Sequence, residues 1–182
     1  MVRVYLVRHA RPAGTFAEAR DPGLGATGLA QADALAQRLG PLGPLPIVTS
    51  PLRRTRETAA PLEARWGRAA RLEPALAEIP SCEEDLARRG EWLRIVMAAR
   101  WLELPADLQA WRGSVVDALR AIPETSVLVS HYVAINVAVG HATGDDRVLC
   151  FAPDHCSVTV IDVENGALTL VERGAEAATQ VL

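Results

Sequence analysis

Three short apolar runs, each ending abruptly in polar residues, constrain this chain more than any other feature. Residues 2–7 are Val, Arg, Val, Tyr, Leu and Val and run straight into Arg8 and His9. Residues 45–49 end at Thr49 and Ser50, and residues 126–129 end at Ser130 and His131. Runs of this length, rich in β-branched residues, read as buried strands of the kind found in parallel sheets. Between the first two, residues 27–39 place Leu29, Ala32, Leu35, Ala36 and Leu39 at helical spacing before Gly40. A second helix is expected from about residue 52 to 66, and a third over residues 134–142. Residues 83–122 are helical in pattern, rich in Leu, Ala and Trp and interrupted by Pro105, and are expected to form a cover over one side. The alternating runs 157–163 and 167–171 around Glu164-Asn165-Gly166 are the signature of a terminal hairpin. The expected fold is a three-layer α/β/α sandwich with a mainly parallel sheet and an antiparallel edge. It occupies residues 1–182 as one domain, with the helical cover at about 79–122. The tail beyond Gly174 is expected to fray.

In an open α/β sheet, ligands bind outside the carboxyl ends of the strands. The three polar strand ends therefore predict one site where two histidines and the arginines Arg8 and Arg54 converge. A neutral imidazole is a competent nucleophile toward phosphorus near neutral pH. Guanidinium groups and a second imidazole supply the positive charge and hydrogen bonds that phosphoryl transfer requires. Chemistry of this kind needs no metal. Composition excludes other classes: with net charge -3 over 182 residues, no global positive field favours nucleic acid or an anionic membrane. All 19 residues counted as lysine or arginine are arginine, so planar donor forks are available locally. Cys82, Cys150 and Cys156 are widely spaced and indicate neither a disulfide framework nor a zinc site. With no long apolar stretch, a cytoplasmic location is expected.

The chain resembles the histidine phosphatase superfamily, also called the phosphoglycerate mutase-like family. The resemblance lies in Leu6-Val-Arg-His-Ala10, in Asp21-Pro-Gly-Leu24 with Gly28 and Gln31-Ala32, in the block Thr49 to Ala59, in Leu76-Ala-Glu78, and in Val127-Leu-Val-Ser-His131. The resemblance implies that His9 is the phospho-accepting nucleophile and Arg8 its neighbouring phosphate ligand. Arg54, four residues before Thr58, is the implied catalytic arginine. Glu78 is the implied acid that protonates the leaving oxygen and then activates water, and His131 the implied transition-state donor. No cofactor is implied. Departures from the family pattern are Ala10 for glycine after the first histidine, Tyr132 for glycine after the second, Arg11-Pro12-Ala13 where an acidic residue and asparagine are frequent, and Gly25 for Thr or Ser.

Arg11, Tyr132 and His155 are further candidate pocket residues. Arg53 and Arg56 are read as solvated helix-face charges or secondary contacts; Glu73, Glu83, Glu84 and Asp85 are alternatives to Glu78 for a different fold of that loop. His141 reads as a surface or helix-end residue, Trp66, Trp92, Trp101 and Trp111 as packing, and Cys82 as a small residue without a redox role. The expected activity is metal-independent hydrolysis of a small-molecule phosphate monoester through phospho-His9. A phosphoglycerate mutase-type transfer and a catalytically idle phosphate-binding module remain the alternatives. The Leu-, Trp- and Ala-rich cover suggests an uncharged or partly apolar leaving group, and the hairpin edge is open to pairing in a homodimer.

Overall fold

A computed structural model describes residues 1–15 and 18–177. Its centre is a six-stranded mixed sheet in the order β3-β2-β4-β1-β5-β6. β1 (Val2–Arg8), β2 (Ile47–Thr49), β3 (Arg71–Leu72) and β4 (Ser126–Ser130) run parallel, while β5 (Val158–Glu164) and β6 (Ala167–Glu172) add the antiparallel edge. Helices α1 (Ala26–Leu39) and α2 (Arg53–Trp66) cover one face. Helices α3 (Leu86–Ala98), α4 (Ala106–Arg120) and α5 (Tyr132–Thr143) lie on the other.

The alternation of strand side chains decides which face each residue serves. Val7, Ile47, Val127 and Val129 pack with Ala32, Leu35, Leu39, Ala59 and Leu62 under α1 and α2. Val4, Leu6, Val48 and Leu128 pack with Val115, Leu119, Val133 and Val137 under α4 and α5. Both faces are covered, which is why these strands read as continuous apolar runs.

The observed boundaries refine the expected ones. β2 is shortened by Pro46, whose missing N–H cannot join the ladder. α5 begins at Tyr132, two residues before the expected start. Residues 83–122 resolve into α3, a short 3₁₀ turn at Trp101–Glu103, and α4, which starts immediately after Pro105. The two-residue β3 has no counterpart in the sequence reading, because Arg71 and Leu72 are exposed and carry no alternating pattern. In the hairpin turn Asn165 and Gly166 both adopt positive φ, as a tight turn demands.

The expected fraying after Gly174 is corrected in part. Asp154 N–H donates to Ala175 O at 2.8 Å and Ala177 N–H to Ala152 O at 2.9 Å, so residues 175–177 are tied to the loop before β5. Residues 178–182 lie outside the described part. Among the described residues no helix is long and apolar enough to cross a membrane.

Candidate active site

Strand register brings the histidines together. Arg8 of β1 pairs with Ser130 of β4, and Thr49 of β2 pairs with Val129. The next residue on each strand, His9, His131 and Ser50, therefore emerges at the same sheet edge. His9 N–H donates to Ser130 O at 3.0 Å and Ser50 N–H to Val129 O at 3.2 Å, so the ladder continues into the site. The His9 and His131 ring centroids are 5.1 Å apart.

His9 is 5% exposed and its tautomer follows from its partners. Nδ1 lies 2.8 Å from the Ala10 carbonyl oxygen, which can only accept, so Nδ1 carries the hydrogen. Nε2 is left with its lone pair, and the Arg54 Nε–H donates to it at 3.2 Å. Burial, then Arg54 and Arg8, push the imidazole pKa well below its ordinary value, so the ring is neutral near pH 7.

The loop that carries His9 is held from α1 and α2. Ala10 N–H donates to Thr58 Oγ1 at 2.9 Å, and that hydroxyl donates to Arg54 O at 2.7 Å. Arg11 N–H donates to Gln31 Oε1 at 2.9 Å. Gly28 faces Arg11 O so closely that a Cβ would overlap it, which explains a glycine in the first turn of α1.

The second histidine is fixed by Ser50. Ser50 Oγ accepts the Leu52 N–H at 3.1 Å, just ahead of α2, and lies 2.8 Å from His131 Nε2. Thr55 Oγ1 has its shortest contact, 2.7 Å, to Leu52 O. We assign the Ser50 hydroxyl proton to His131 Nε2, which places the ring hydrogen on Nδ1. His131 Nδ1 is buried and has no hydrogen-bond partner.

The arginines differ in their partners. Arg54, buried at the start of α2, is 3.8 Å from Asp21 Oδ1. Arg8, 5% exposed, donates through Nη1 to Pro153 O at 2.8 Å. Its Nε is buried without a partner. Burial lowers the pKa of both guanidinium groups, and the Glu78 carboxyl opposes that shift in each.

Glu78 follows the 3₁₀ turn Pro74–Leu76, which Ser130 Oγ anchors through Leu76 O at 2.8 Å. Its carboxylate accepts from Ile79 N–H at 3.0 Å and from Val133 N–H, in the first turn of α5, at 3.2 Å. Burial raises its pKa against the opposing pull of those N–H groups, Arg54 and Arg8. A carboxyl shifted upward, sharing Arg54 and Arg8 as charged neighbours with an imidazole shifted downward, is a pairing suited to proton transfer.

The remaining sequence candidates separate clearly. His155 Nδ1 donates to His9 O at 3.0 Å and its ring lies 5.6 Å from that of His9; burial pushes its pKa down to about 4. The Tyr132 ring stacks on Arg8, 4.7 Å from ring centroid to Cζ. Arg11 is exposed at the loop. Arg53 is exposed and paired with Glu57, and Arg56 is exposed. Glu73 pairs with Arg71, and Asp85 caps α3 through Arg88 N–H, so neither competes with Glu78. His141 contacts Arg120 at the end of α5. Trp101 is buried against Trp111, and Cys82 is exposed.

Sequence reasoning assigned no role to Ser50, Thr58, Asp21 or Asn136, although the first three stand inside motif blocks it quoted. It also passed over Arg89 in α3, whose pKa is lowered by burial, Arg20 and Arg54 and raised by Glu78.

Residues 4–176 match the sequence model of the histidine phosphatase superfamily (branch 1). The chain belongs to the histidine phosphatase superfamily. Among relatives of this superfamily member, an uncharacterized protein of Mycobacterium tuberculosis is 34% identical, over 73% of this chain and 74% of that protein. The phosphoserine phosphatase of Entamoeba histolytica, solved with 3-phosphoglyceric acid, superposes with a TM-score of 0.76 at 19% identity, covering 96% of this chain and 98% of that one. A mycobacterial glucosyl-3-phosphoglycerate phosphatase complexed with VO3 gives 0.73 at 24% identity, covering 97% and 100%. The alpha-ribazole phosphatase of Shigella flexneri gives 0.74 at 18% identity, covering 99% and 100%. At these identities the three structures establish a shared fold.

Proposed function

We propose that this protein is a metal-independent phosphatase that hydrolyses a phosphate monoester through a phosphohistidine on His9 Nε2. The observation that carries the reading is a pair of buried donors without partners, Arg8 Nε and His131 Nδ1, beside His9 Nε2, whose lone pair faces the Arg54 Nε–H. An unsatisfied buried donor costs about 1–3 kcal/mol. Two of them around one nucleophile are the signature of a site built for the oxygens of an anion.

In the first step the His9 Nε2 lone pair forms the N–P bond as the bond from phosphorus to the leaving oxygen breaks. Glu78, held toward its protonated form by burial, gives its proton to that oxygen. Arg8 receives phosphoryl oxygens on the Nε and Nη2 donors that its contact with Pro153 leaves over, and His131 Nδ1–H and Arg54 receive the others. In the second step the Glu78 carboxylate takes a proton from water. The oxygen attacks phosphorus, the N–P bond breaks, and phosphate and neutral His9 are released. The two arginines and His131 supply the charge stabilisation, so no metal is required.

Rapid quenching during turnover of p-nitrophenyl phosphate tests this reading. An acid-labile, alkali-stable phosphoenzyme is expected in the wild type and absent in His9→Ala, with turnover unaffected by EDTA. A wild type inert on a broad panel of phosphate esters would leave a phosphate-binding module in its place.

A further inference from the structure

The residue that departs most from the family pattern, Tyr132, stands next to His131 and directly against Arg8. It opens α5, and its ring lies 4.7 Å from Arg8 Cζ, within the range of a cation–π contact. The guanidinium is held on a second side by Pro153 O, at 2.8 Å from Nη1.

Both supports are tied to each other through the first turns of α5. Asn136, fully buried, donates from Nδ2 to Tyr132 O at 3.0 Å. Its Oδ1 accepts from Cys150 N–H at 2.7 Å and Phe151 N–H at 3.1 Å, fixing the segment that leads to Pro153. From the other side, residues 175–177 bond to Ala152 and Asp154. The guanidinium therefore sits in a slot with one face on an aromatic ring and one donor on a clamped carbonyl. Its remaining donors include the buried, unpartnered Nε.

We infer that Tyr132 is a positioning residue of this enzyme: its ring and the Pro153 carbonyl lock the Arg8 guanidinium so that the Nε and Nη2 donors present a fixed fork to the phosphoryl group. Glycine at this place leaves the face of the arginine uncovered, and the side chain then has further rotamers to lose when substrate binds. The ring performs that ordering in advance. The inference rests on the phosphatase reading above.

Tyr132→Leu keeps bulk but removes the aromatic face, and Tyr132→Phe keeps the face without the hydroxyl. Steady-state hydrolysis of p-nitrophenyl phosphate and the Kd of orthovanadate are measured for both, alone and with Arg8→Lys, with Tm as the check on folding. Tyr132→Leu is expected to lower kcat/KM and vanadate affinity together, by roughly 3- to 30-fold, and Tyr132→Phe to recover most of the loss. With Arg8→Lys, which has no planar fork to stack, Tyr132→Leu is expected to add less than about twofold. Full activity in Tyr132→Leu, or an undiminished loss on top of Arg8→Lys, overturns the positioning role while wild-type turnover preserves the phosphatase reading. A wild type that neither hydrolyses the ester nor binds vanadate removes both.

Discussion

The two ends of β1 carry arginines in opposite physical states. Arg3, near the amino end, makes a two-pronged contact with Asp162 on β5, at 2.8 Å from both Nε and Nη2, in a partly solvated setting. That partner raises its pKa. Arg8, at the carboxyl end, is buried among Arg54, His9 and His131, and burial lowers its pKa. The Arg3 pair contributes to holding the sheet edge. The Arg8 cluster gathers like charges and unpaired donors, an arrangement that costs folding stability until an anion enters. A shallow cleft at the amino ends of β2 and β4, lined in part by Arg68, Arg71 and Glu124, differs from the Arg8 end in that its arginines are exposed.

Mutation should sharpen this contrast. The largest effect is expected in His9→Ala, with kcat for p-nitrophenyl phosphate falling on the order of 10⁴-fold or more. Glu78→Gln comes next, lowering kcat about 10²- to 10⁴-fold on an alkyl phosphate and much less on p-nitrophenyl phosphate, whose leaving group needs little protonation. Arg54→Ala should cost roughly 10²- to 10³-fold in kcat/KM. At the other end of the strand, Arg3→Ala should change kcat/KM by less than about twofold. Equal losses at Arg3 and Arg54 in these assays would erase the distinction between the two ends.

Stability against pH gives a smaller, independent reading of the same contrast. His9, His131 and His155 have folded-state pKa values below the unfolded value of about 6.5. The unfolded chain therefore binds more protons in acid, and stability that is present above about pH 6.5 declines as pH falls, for His155 through about 4. Glu78 acts in the opposite sense: its raised pKa contributes stability at low pH that is lost as pH rises through the folded value. Denaturant titrations from pH 7 to 4 should show a net fall carried by the histidines. Saturating orthovanadate at pH 7 should raise Tm in the wild type and not in His131→Ala combined with Arg8→Ala.

Much of this architecture is legible in the chain itself, because it depends on local periodicity. Apolar runs that stop at Arg8, Thr49 and Ser130 read as strands covered on both faces, and Asn165-Gly166 as a tight turn. His9, Arg54 and His131 stood out because each follows such a run or opens the helix after it. Tertiary structure alone decided the rest. Whether His9 and His131 meet depends on β4 lying beside β1, a pairing across more than a hundred residues that no local pattern encodes. The tautomers of both rings, the unpaired state of Arg8 Nε, and the seat of Tyr132 on Arg8 are set by carbonyls and hydroxyls brought in from distant segments. Periodicity reports which face of an element is buried, whereas proton positions and donor directions are properties of neighbours that only folding supplies.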